Sequence, residues 1–129
     1  MKQVFTINHA LTAYNEHENK ARGSKYAAST DKTRMQNLVG WAIRAAKLQP
    51  VEAPQWVSIE WHEDISGKKT GRDPDNIASA KKFILDALKK QGIIKDDKHK
   101  YIAGFTDRFV YEKAKSRIIV TLTDYTGDE

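Results

Sequence analysis

Residues 72–92 read Arg72-Asp73-Pro74-Asp75-Asn76-Ile77-Ala78-Ser79-Ala80-Lys81-Lys82-Phe83-Ile84-Leu85-Asp86-Ala87-Leu88-Lys89-Lys90-Gln91-Gly92. Ile77, Ala80, Ile84 and Leu88 recur at spacings of three and four, which gives one helix face an apolar stripe. Asp75 or Asn76 supplies its N-cap, the sequence allowing either, and Gly92 supplies its stop. Outward from this helix the apolar period changes to two. Val57, Ile59 and Trp61 alternate within 55–63, Phe105, Phe109 and Tyr111 within 101–112, and Ile118, Val120 and Leu122 within 117–124. The last two runs are predicted to pair as a hairpin across 113–116. Residues 3–8 alternate loosely as a first strand, and 9–30 read as a long polar loop. Thr30 or Asp31 caps a helix running to about Leu48, with Met35, Leu38, Ala42 and Ala45/Ala46 as its stripe and Pro50 ending it. The predicted order is β-α-β-α-β-β: an α+β fold with two main helices packed on a mixed β-sheet, residues 1–129 forming one domain.

Of 129 residues, 40% are hydrophobic and 30% charged, a balance that suits a packed globular chain and not a disordered one. Lys and Arg number 22 against 17 Asp and Glu, a formal charge of +5, and residues 124–129 are acidic, so the rest of the chain is more basic still. That excess favours a polyanionic partner. The absence of cysteine excludes disulfides and thiolate metal sites. No apolar run approaches the roughly 18 residues of a membrane span, and the N-terminus lacks a signal-peptide pattern. The expectation is a cytoplasmic protein without membrane contact.

Against this basic background two groups of acids flank the helix, 73–75 and 96–97. Pro74 biases Asp73 to extended backbone, where residues i and i+2 point the same way, so Asp73 and Asp75 can face one site. Asp96-Asp97 follows the apolar exit Gly92-Ile93-Ile94-Lys95 and can return beside the helix. Hard carboxylate oxygens in such a set suit Mg²⁺ or Mn²⁺, and a basic chain with an acidic metal pocket suggests phosphodiester chemistry. Asp75, Ser79, Lys82 and Asp86 also line up if the helix is continuous, with Lys82–Asp86 equally readable as an ordinary i,i+4 ion pair. An EF-hand fails, since Ala78 stands where the loop needs glycine, and Gly67…Gly71 lacks the lysine of a P-loop. His9, His17, His62 and His99 show no ligand spacing and are expected at the surface or in loops.

The ordered set Arg72-Asp73-Pro74-Asp75-Asn76, then Lys82-Phe83-Ile84-Leu85-Asp86-Ala87-Leu88, Gly92 and Asp96-Asp97 resembles the RusA-type Holliday-junction resolvases, closely over about 66–100. The resemblance implies a homodimeric endonuclease that resolves four-way junctions by paired nicks in DNA recombination and repair, encoded by a bacterial host or a phage. It implies that Asp73, Asp75 and Asp97, with Asp96 as a neighbouring candidate, hold Mg²⁺, Mn²⁺ being the alternative ion. Lys82 matches the family's catalytic lysine when counted back from Asp86, whereas counting forward from Asp75 reaches Ser79, because the helix is about three residues longer than in the best-known member. Lys81 is the fallback. Arg72, Lys68, Lys69 and Lys81 are the expected DNA contacts, with Lys20, Arg22 and Lys25 as further basic residues. The alternatives are a nuclease for other branched DNA, a non-catalytic DNA-binding relative, and a basic domain that binds a protein partner.

Overall fold

The computed structural model of the chain describes residues 1–12, 25–67 and 70–127. Four strands, β1 (Lys2–Ile7), β2 (Gln55–Asp64), β3 (Ile102–Glu112) and β4 (Arg117–Asp124), form one mixed sheet in the order β1-β4-β2-β3. β4 runs antiparallel to both β1 and β2, while β3 runs parallel to β2. The expected β3–β4 hairpin is therefore not formed, because β2 lies between them. β2 buries Val57, Ile59 and Trp61 almost completely, and an interior position gives such a strand partners on both edges. The 113–116 connection instead crosses the end of β2. There Ile65 N–H donates to the Glu112 carbonyl (2.9 Å) and Asp64 N–H to Ser116 Oγ (3.0 Å). Parallel neighbours need a long crossover, and the segment between β2 and β3 supplies it with the helices of the acidic region.

Helix α1 (Lys25–Ala45) starts before Thr30 and Asp31. Asp31 is no cap but a buried interior residue, its carboxylate accepting from Thr12 Oγ1 at 3.3 Å. The buried stripe is Met35, Val39 and Ile43, with Leu38 and Ala42 at its margin, while Ala45 and Ala46 are exposed. The phase follows the larger side chains, which have more area to remove from water.

The second helix is interrupted. A single turn, α2 (Pro74–Ala78), leads through Ser79-Ala80 into α3 (Lys81–Lys90). At the join Ala80 N–H reaches the Ile77 carbonyl (3.2 Å) and Phe83 N–H the Ala80 carbonyl (3.0 Å), three-residue closures that tighten the turn. Because of this break, Asp75, Ser79, Lys82 and Asp86 do not form one continuous helical face. The apolar stripe survives the join, with Ile77, Ala80, Ile84 and Leu88 all buried and joined by Phe83 and Ala87.

These residues pack on the sheet face formed by Phe5 and Ile7, Val57, Ile59 and Trp61, and Ile118, Val120 and Leu122, registered so that Val120 lies opposite both Phe5 and Ile59. Each such side chain contributes about 1.5–3 kcal/mol when fully buried. At the end of α3, Gly92 adopts φ +76° while its N–H meets the Lys89 carbonyl at 3.0 Å and Ile93 N–H meets that of Leu88 at 2.9 Å. The left-handed residue reverses the chain, sends Ile93 and Ile94 into the core, and brings Asp96-Asp97 back along α3.

Candidate active site

The reversal at Gly92 has a direct electrostatic result. Lys82 Nζ lies 3.3 Å from Asp97 Oδ2 and 3.2 Å from Asp86 Oδ1, so one ammonium serves two carboxylates fifteen and four residues away. The bond to Asp86 outweighs the opposing effect of burial and, with the bond to Asp97 added, raises the Lys82 pKa above 10.5. Asp97 is held below 3.8 by its hydrogen-bonded neighbour Asp96 and then by Lys82. Asp96 turns elsewhere: its Oδ1 accepts from Asp97 N–H at 2.8 Å, and Lys89 and Lys98 each approach it to 3.8 Å. Of the paired aspartates, Asp97 meets the lysine and Asp96 shapes the turn.

Lys81 has a separate partner. Its ammonium lies 2.7 Å from Asp107 Oδ2 and 4.2 Å from the centre of the Phe105 ring, while the Trp61 indole N–H donates to Asp107 Oδ1 at 2.8 Å. Lys81, expected as a DNA contact, ties α3 to β3. Ser79, the rival position for the catalytic lysine, closes α2 by donating to the Asn76 carbonyl at 2.6 Å.

Arg72 forms a bidentate pair with Glu63 at the end of β2, Nε to Oε1 at 2.8 Å and Nη2 to Oε2 at 3.0 Å, and its Nη1 donates to the Leu11 carbonyl at 2.8 Å. The Arg72 carbonyl in turn accepts from the Tyr111 hydroxyl at 2.6 Å. Burial, then the negative charges of Glu63 and Asp73, raise the Tyr111 pKa above 10.0 against the opposing charge of Arg72. Asp73 follows as the N-cap residue of α2, extended at φ −67° and ψ 149° and without a capping hydrogen bond. Asp73 and Asp75 are exposed. Lys68, Lys69, Lys20 and Arg22 lie outside the described residues, as does His17.

His62 corrects the surface expectation. It is buried, with Nδ1 3.0 Å from Glu112 Oε1 and Nε2 3.1 Å from Glu60 Oε1, and Arg117 Nη1 donates to the same Glu112 oxygen at 3.0 Å. His9 and His99 are exposed. Tyr111 was read only as part of the 101–112 alternation, and Glu63 and Asp107 were not singled out from the sequence, although a signal was present for both. Glu63 continues the Val57, Ile59, Trp61 alternation, and Asp107 stands between Phe105 and Phe109. A carboxylate on an apolar face requires a partner.

The fold is a basic α+β domain whose crossover unit presents exposed aspartates at one helix start and a lysine shared between carboxylates on the next helix. The sequence narrows that class further. Residues 9–123 match the model of the endodeoxyribonuclease RusA family, and the chain belongs to that family. It is an endodeoxyribonuclease of the crossover-junction type, acting on branched DNA in recombination. No curated protein matches the chain. Among the described residues, no helix is long and apolar enough to cross a membrane.

Nucleases of this family are typically metal-dependent, and the donor chemistry here suits a hard divalent ion. Asp73 and Asp75 offer exposed carboxylates, and Asp97 already accepts a cationic ammonium. Among the described residues, no three His, Asp or Glu side chains are grouped so that they could hold a metal. Asp97 is instead paired with Lys82.

Proposed function

We propose that the chain is a Mg²⁺-dependent resolvase that cuts four-way DNA junctions as a homodimer, by symmetric nicks in two strands. The observation that carries this reading is the Lys82 ammonium shared by Asp86 and Asp97 in a member of the crossover-junction family. Asp73, Asp75 and Asp97, not grouped among the described residues, would hold the ion once Asp97 leaves Lys82, while Asp96 keeps the turn that carries Asp97. The chemistry a bound Mg²⁺ supplies is polarisation of the scissile phosphate and activation of a water, and Mn²⁺ can supply the same. Lys82 stays charged across the neutral range. Asp86 retains it on α3, and its ammonium stabilises negative charge that builds on the phosphate as the P–O bond breaks. Lys68 and Lys69 hold the DNA backbone, contacts that position the substrate without reading bases. A two-fold dimer matches the two equivalent strands of a junction.

The test is cleavage of a synthetic four-way junction beside flap and linear duplex, with and without Mg²⁺. Paired nicks in the junction alone, dependent on Mg²⁺, support the reading. Equal cutting of flaps, or cutting without a divalent ion, overturns it. Asp75→Asn is expected to abolish cleavage while keeping or tightening junction binding, since it removes both a metal ligand and a negative charge near phosphate.

A further inference from the structure

We propose that Glu63, Arg72 and Tyr111 form a latch that sets the position of the Asp73 and Asp75 carboxylates, so that Arg72 is a positioning residue of the acidic site and not a contact to the DNA backbone. The inference rests on the reading of those aspartates as metal ligands.

Contacts from Glu63, Leu11 and Tyr111 meet at residue 72. The Arg72 guanidinium uses Nε, Nη1 and Nη2 on groups from two separate parts of the chain, Glu63 on β2 and Leu11 beyond β1. Glu63 is buried and its pair with Arg72 is bidentate, the geometry in which a guanidinium is held most firmly. Because the pair is neutral as a unit, Arg72 adds little attraction for a phosphate. On the backbone side, the Tyr111 hydroxyl grips the Arg72 carbonyl at 2.6 Å. The Tyr111 ring also covers Gly71, where a Cβ would lie 2.8 Å from two ring carbons and where φ is +83°. Only glycine lets the tyrosine from β3 lie this close.

Immediately beyond the latch, Asp73 has little backbone freedom left. Its amide follows the clamped Arg72 carbonyl, and Pro74 restricts its ψ to the extended range observed. Pro74 has a fixed φ and opens α2, which carries Asp75. The direction of both carboxylates is thus set by the hold on residue 72. Supporting partners of this kind typically change metal affinity or activity by about 10–100-fold when removed.

The experiment uses the full chain and the variants Tyr111→Phe, Glu63→Gln, Arg72→Lys, Arg72→Gln and Asp75→Asn. Mn²⁺ binding without DNA is read by electron paramagnetic resonance, junction affinity is measured against salt without divalent ions, and thermal midpoints are taken alongside. Tyr111→Phe removes one hydroxyl and serves where Glu63→Gln fails to fold. The latch predicts that Tyr111→Phe and Arg72→Lys weaken Mn²⁺ binding by about tenfold or more, with junction affinity and its salt slope unchanged. Unchanged Mn²⁺ binding in both, with Asp75→Asn abolishing it, overturns the latch and leaves the metal reading standing. A salt slope reduced by about one in the neutral variant Arg72→Gln makes Arg72 a phosphate contact and also overturns the latch. Mn²⁺ binding that survives Asp75→Asn removes the metal reading, and the latch falls with it.

Discussion

Lys81 and Lys82 are adjacent in sequence and committed to different tasks, one to Asp107 across the sheet and one to Asp86 and Asp97 along the helix. Lys82→Ala should lower the cleavage rate by about 10²–10³ with little change in junction affinity. Lys81→Ala should instead cost about 1–3 kcal/mol of stability by stripping a partner from Asp107, while turnover per folded molecule stays near wild type. Single-turnover cleavage and denaturant unfolding of both variants separate the two, and a dead Lys81→Ala beside an active Lys82→Ala reverses the assignment. The titration of the pair gives a second expectation. Asp97, held below 3.8, contributes stability that is present above that value and is lost as pH falls through its folded pKa. Lys82, raised above 10.5, contributes fully below that value and loses it as pH rises through its folded pKa. Between those limits both are charged, so Lys82 is a fixed positive charge and not a proton carrier. The pH–rate profile from about pH 6 to 9 should keep its shape in Lys82→Arg, whatever the drop in rate.

The decisive element is the end of α3. Gly92 is left-handed and turns the chain so that Ile93 and Ile94 are buried and Asp97 reaches Lys82. Gly92→Ala should cost about 1–2 kcal/mol, the price of a Cβ in that region, and should loosen the Lys82–Asp97 contact. Thermal unfolding and cleavage measured together should both fall, whereas Gln91→Ala, at a position with ordinary helical φ of −80°, should leave cleavage close to wild type. A Gly92→Ala variant with full stability would remove the turn as the reason Asp97 is where it is. The interrupted helix has a similar logic. The tight Ser79-Ala80 join keeps Ile77, Ala80, Ile84 and Leu88 buried, so Lys82 keeps its spacing to Asp86 and loses the one a continuous helix would have given it to Asp75.

For the whole molecule, the proposed dimer makes a prediction that no single chain can satisfy. Wild type mixed and re-equilibrated with excess Asp75→Asn should produce mixed dimers with one working site. Singly nicked junctions should then accumulate on a gel, at the expense of fully resolved duplexes. If the mixture only dilutes full resolution in proportion to wild type, the two nicks do not come from paired sites of one dimer.

Much of the fold was legible because period and punctuation are local. The alternations of Val57, Ile59 and Trp61 and of Ile118, Val120 and Leu122, the stripe from Ile77 to Leu88, and the stop at Gly92 all follow from which residues must leave water. The acids of 73–75 and 96–97, with Lys82, were legible as a pattern for the same reason, and the family match over 9–123 agrees with that resemblance. Local pattern could not decide adjacency. β3 and β4 each alternate as hairpin partners would, yet β2 separates them, because strand order depends on which strand the whole core buries most deeply. Nor could it decide what each charge does. Lys81 with Asp107, Arg72 with Glu63, and His62 between Glu60 and Glu112 are pairings across strands and loops, set by the need of a polar group removed from water for a partner that sequence distance does not reveal.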